Sequence, residues 1–155
     1  MPDIGSLSIS ALFFDILIKS LFVLAIIRTL QQVNPVNRRI SPVLVWPLII
    51  PFLNLLWNFF VAIELSRSIR NELASRDFEV KGYPTLIYGI LYALINLGSF
   101  FVAVPTDIQN LHKNYLYVFF SLAVVIIFIL YWTKINWYKA VLINDSAENE
   151  SKDEL

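Results

Sequence analysis

The chain has 155 residues, 57% of them hydrophobic, and a mean hydropathy of +0.65, whereas soluble domains carry roughly 45–50% apolar residues. Its 12 Lys and Arg balance 12 Asp and Glu, which leaves no basic surface for a nucleic-acid partner. The absence of cysteine removes disulfides, thiolate nucleophiles and cysteine metal sites together.

The apolar residues are bunched into four runs, each near the ~20 residues a helix needs to cross ~30 Å of hydrocarbon. They predict an all-α polytopic membrane protein, a four-transmembrane-helix bundle with spans at about 7–30, 42–65, 84–104 and 115–133. The opening Met-Pro-Asp-Ile-Gly-Ser carries no Lys or Arg, unlike a secretory signal, so the first helix is expected to be retained. Asn34-Pro35 signals the turn after it, and Ser41-Pro42 signals the next helix start. Pro47 and Pro51 each remove a backbone donor, which predicts a kinked second helix.

Beyond Phe60 that helix changes character. Glu64, Arg67, Arg70, Glu72 and Arg76 alternate with apolar residues, the pattern of a helix leaving the bilayer or of a basic collar touching anionic lipid. Gly82 and Pro84 end it, and Pro84 opens the third span. The fourth span can continue as helix through Ile143, with Lys134 and Lys139 snorkelling and Trp132, Trp137 and Tyr138 suited to an interface. Trp46, Trp57, Tyr83, Tyr115, Tyr117 and Tyr131 read as interfacial belts or packing, and the deeper Trp57 needs a partner for its indole. Residues 1–143 thus make one domain, and the acidic tail 144–155 is expected to be disordered.

The chemistry-bearing feature is "FFDILIKS", where Asp15 and Lys19 lie one turn apart inside an apolar run. Two ions at mid-membrane cost about 5–7 kcal/mol, and the surrounding large apolar residues return about 4–7 kcal/mol. The span is marginal alone. Ser8, Asp15, Lys19, Phe22 and Ile26 share a face that is predicted to point into the bundle, where Asn54, Asn58 and Asn96 can satisfy both ions. This polar intramembrane cluster reads as a clasp between helices, as a path for a proton, ion or small solute, or as an intersubunit contact. The lone His112 falls on a loop and is expected to serve as neither ligand nor base.

No H-E-x-x-H, G-x-S-x-G or glycine-rich phosphate loop occurs, and nothing pairs with Asp15 as a second deep acid, so neither catalysis nor a cofactor or metal is expected. Trp46, Pro47, Pro51-Phe52-Leu53-Asn54 and Trp57-Asn58-Phe59, with the later Ser66 to Glu72 segment, resemble uncharacterised small four-span membrane proteins of bacteria. The resemblance implies a bundle in a bacterial cytoplasmic membrane and assigns no functional residue.

Counting Lys and Arg by loop, with each predicted span a full crossing, favours both termini in the cytoplasm. The leading expectation is a non-catalytic accessory or structural subunit that associates with itself or with other membrane proteins. The alternatives are a small oligomeric channel or carrier using Asp15 and Lys19, and an ER-resident factor retained by the terminal Lys-Asp-Glu-Leu, which is read only in the lumen.

Overall fold

A computed structural model describes residues 4–50, 52–101 and 115–153, and the side chains of residues 13–50, 52–99, 101 and 115–148. All regular structure among them is helical: α1 (Ile4–Gln31), a 3-10 helix (Pro42–Ile49), α2 (Leu53–Ser75), α3 (Leu86–Phe100) and α4 (Tyr115–Asp153). The 3-10 helix packs between α1 and α2, and α3 and α4 close the ring back to α1.

The expected turn follows α1. Asn34 folds it by accepting the Asn37 amide at 2.9 Å on its carbonyl and the Val36 amide at 3.1 Å on its side chain. Ser41 then stands at the helix N-cap with Pro42 behind it, although its hydroxyl makes no cap bond.

The predicted second span, one kinked helix over 42–65, is replaced by a hairpin. Such a helix would separate Pro42 from Leu65 by about 35 Å. Instead, the Arg39 amide donates to Ser68 Oγ at 2.8 Å and the Asn34 amide to Glu72 Oε2 at 2.8 Å, so the end of α2 lies beside the start of the 3-10 helix. The chain descends from Ser41, reverses at Phe52, and returns as α2. The reversal places Phe52 at φ 64° and ψ −50°, near the geometry of a strained γ-turn, a sparsely populated region that costs on the order of 1–3 kcal/mol.

Proline explains the tight winding and one specific contact. A 3-10 helix bonds each amide to the carbonyl three residues back, but Pro47 has no amide to offer Leu44. The Trp57 indole fills that gap, donating to the Leu44 carbonyl at 2.7 Å. The indole partner that Trp57 needs is therefore the carbonyl that Pro47 orphans.

Helix α3 packs against α2 and α4, and Gly89 permits the approach: a Cβ there would lie 2.6 Å from Ala62 Cβ and 3.0 Å from the Tyr131 hydroxyl. Phe22 sits among Tyr92, Phe128, Tyr131 and Trp132, with ring centroids 5.0 to 6.2 Å away. Above this layer Leu30, Val33, Ile69, Leu73 and Leu142 are buried. The core thus fills the half of the bundle where α1 and α2 end and where α4 passes Leu142.

The other half is looser, and Phe13, Phe14, Ile16, Leu17 and Ile18 are all exposed. Because the C-terminal parts of α1, α2 and α4 meet, α1 and α4 run in the same direction, and Ile4 and Asp153 lie at opposite ends. The acidic segment expected to be disordered continues α4 as helix through Asp153. It contains neither Gly nor Pro, and Ala147 and Glu148 are good helix formers.

Candidate functional site

The five predicted site residues do not form one cluster. Lys19 Nζ donates to Asp15 Oδ2 at 2.8 Å, and their side chains are 23% and 52% exposed. Neither is hydrogen-bonded to Asn54 or Asn58 among the described residues. Phe22 and Ile26 are buried as their shared face requires, but a turn or two lower the helices separate, and Asp15 emerges from the bundle. The predicted inward orientation is therefore corrected for Asp15, and Ser8 lies outside the described side chains.

Asn54 and Asn58 are buried and satisfy each other: Asn58 Nδ2 donates to Asn54 Oδ1 across one turn of α2. Asn96 follows Tyr92 by one turn of α3, and the Tyr92 ring packs against Phe22 and Phe128. Tyr92 packs near Tyr131, whose buried hydroxyl has no partner among the described residues.

The densest polar site lies elsewhere, at the well-packed end. Glu72 is 3% exposed and accepts from the Asn34 amide, the Asn37 side chain and Arg76 at 2.8 to 2.9 Å. Arg76 in turn donates to the Leu142 carbonyl, Asp145 and Ser146 at 2.9 to 3.0 Å, and to the Gln32 carbonyl at 3.3 Å. One guanidinium thereby ties together the end of α1, the end of α2 and α4. Burial pushes the Glu72 carboxyl up, but the hydrogen bonds from Asn37, Asn34 and Arg76 outweigh it and hold its pKa below the ordinary carboxylate value.

Glu72 and Arg76 were legible as an acid-to-base pair at i,i+4, the same spacing that singles out Asp15 and Lys19. Their third member, Asp145, is 69 residues from Arg76, and no local pattern connects them.

A further polar cleft of about 130 Å³ opens between the start of α3 and α4, lined by Lys81, Tyr83, Thr85, Tyr88, Lys134 and Tyr138 among others. No group of three or more His, Cys, Asp or Glu side chains is placed to hold a metal among the described residues. His112 and the rest of the loop 105–114 lie outside them.

Around the bundle runs an apolar belt. Leu116, Phe119, Leu122, Ile126 and Ile129 of α4 are exposed. Tyr115–Glu148 is long and apolar enough to cross a membrane, and only 6% of its most apolar stretch is buried. No family model, curated protein or solved structure matches the chain, so the resemblance around residues 46–72 brings no residue role to these sites.

Proposed function

We propose that the chain is a non-catalytic, multi-pass membrane subunit that docks onto a helix of another membrane protein, or of a second copy, through the exposed half of α1. The membrane part rests on α4. A helix this apolar in a soluble protein would be a core helix, whereas this one shows its apolar side chains to the surroundings, and a contiguous exposed apolar face marks a membrane or protein contact.

The subunit part rests on one observation: Asp15 is half-exposed within a stretch, Phe13 to Ile18, that is exposed all round. A carboxylate facing hydrocarbon costs ~2.5–3.5 kcal/mol on insertion scales. A neighbouring helix with a polar group removes that cost. A photo-crosslinking residue in place of Leu17 is expected to give a stoichiometric adduct after mild detergent extraction, and Asp15→Ala to weaken it. A lone, uncrosslinked monomer overturns the proposal.

The hairpin changes the orientation expected from the sequence. With Ile4 and Asp153 at opposite ends, the two helix ends lie on opposite sides of a membrane the bundle crosses. Arg28, Arg38 and Arg39 now join Arg67, Arg70, Arg76, Lys81 and Lys139 at the well-packed end, which the positive-inside rule places in the cytoplasm. We therefore replace two cytoplasmic termini with a cytoplasmic α4 end and an external α1 start. A C-terminal Lys-Asp-Glu-Leu on that side has no lumenal receptor to meet. Single cysteines at Ser6 and Ser151 in this cysteine-free chain, labelled with an impermeant maleimide, are expected to react from opposite sides.

The carrier alternative draws on Asp15 and Lys19 as an ionisable pair within the apolar α1. Asp15→Asn in vesicles separates the two: loss of solute flux with the crosslink intact favours the carrier.

A further inference from the structure

The cleft at the start of α3 is built from donors whose neighbouring acceptors are already engaged. The Tyr83 carbonyl accepts the Leu86 amide at 3.4 Å, the Thr85 carbonyl accepts the Gly89 amide at 3.0 Å, and the Pro84 carbonyl accepts the Ser66 hydroxyl. Thr85 occupies the N-cap of α3 at φ 63° without making the usual side-chain cap bond. Its residue is 5% exposed, and its Oγ1 is buried with no partner among the described residues. An N-cap threonine ordinarily uses that oxygen on the helix's own first-turn amides; here the hydroxyl makes no such bond.

The charge is one-sided. Lys81 and Lys134 line the cleft, and among the described residues neither forms an ion pair. Arg70 lies over the Tyr83 ring at 4.4 Å, and Lys134 lies 5.9 Å from the Tyr88 ring and 5.5 Å from the Trp137 ring. A helix start flanked by two cations, with its N-cap hydroxyl unused, is an anion site in chemical character. At about 130 Å³ the space suits a phosphate group rather than a drug-sized ligand, whose pockets run ~300–1,000 Å³.

Depth identifies the source of the phosphate. Ile87, Leu91 and Leu94, exposed and apolar, follow directly along α3, and exposed Trp137 and Tyr83 flank the cleft. This is the edge of the apolar belt, where headgroups sit and aromatic side chains collect. We propose that the cleft binds the phosphate of an anionic phospholipid, with Lys81, Lys134 and the Thr85 hydroxyl as its ligands. The proposal rests on the membrane reading above, and on that orientation it selects lipid from the cytoplasmic leaflet.

The test is native mass spectrometry of the full chain, purified in neutral detergent and titrated with phosphatidylglycerol, phosphatidylcholine or inorganic phosphate. One phosphatidylglycerol is expected to bind in preference to phosphatidylcholine. Affinity should fall about fivefold for each lysine removed in Lys81→Gln and Lys134→Gln, should fall in Thr85→Val, and should be unchanged in Arg38→Gln. Circular dichroism shows whether each variant keeps its helices. Equal binding of the two lipids, or an undiminished preference in the double lysine variant, overturns the site. Displacement of the lipid by millimolar inorganic phosphate overturns the lipid as its source. A chain that stays soluble without detergent instead sinks the membrane reading, which the same preparation reports separately.

Discussion

Arg76→Met removes the guanidinium that joins α1, α2 and α4 while keeping much of the side-chain volume. The substitution deletes the ion pairs to Glu72 at 2.8 Å and Asp145 at 2.9 Å, together with donations to three further groups. Glu72 would remain buried, its charge held only by the Asn34 and Asn37 donors. Removing one partner of a buried pair costs about 3–5 kcal/mol. The low end applies because the Arg76 side chain is 19% exposed and Glu72 keeps two hydrogen bonds. The expected loss is therefore about 3 kcal/mol. Denaturation in mild detergent micelles, followed by helical circular dichroism, measures it. The double variant with Glu72→Gln should lose less than the two single losses summed, since no unpaired charge remains. A loss below about 0.5 kcal/mol for Arg76→Met, the level of an ordinary surface substitution, would refute the staple.

The same site predicts a pH dependence. The folded pKa of Glu72 lies below its unfolded value, so its contribution is complete above the ordinary carboxylate range, about pH 4, and is lost as pH falls through the folded value; Glu72→Gln should flatten that acid limb in the same assay. Gly89→Leu forces carbon into the 2.6 Å approach to Ala62, and overpacking of this kind should lower stability by about 1–3 kcal/mol or more, seen as a reduced melting temperature. Trp57→Phe removes the indole donor to the Leu44 carbonyl, and should cost about 1–3 kcal/mol with enhanced proteolysis between Pro42 and Phe52 as its signature.

Periodicity and punctuation were enough to read α1, the Asn34-Pro35 turn, the start at Pro42 and the continuation of α4 past Thr133, because each is local. The inward placement of Phe22 and Ile26 was legible for the same reason. Pro47 and Pro51 announced that a helix must break, but a missing donor sets no angle, and the reversal falls on Phe52, a residue type with no preference for positive φ. The two i,i+4 charge pairs carried one signal with two outcomes: Glu72 and Arg76 meet α1 and α4, while Asp15 and Lys19 meet mainly each other. Spacing within a helix reports which side chains share a face. It does not report whether another helix stands opposite.

The hairpin formed by the 3-10 helix and α2 has a bearing on biogenesis. In the proposed orientation its two open ends face the same compartment, so Arg38 and Arg39 before it and Arg67, Arg70 and Arg76 at its end need never be translocated. Only the short uncharged reach from Pro42 to Val61 has to dip into lipid and come back, after α1 is in place to receive it. Synthesis order and charge then agree: the segment enters as a loop folded against a helix already inserted, with its arginines left on the ribosome's side.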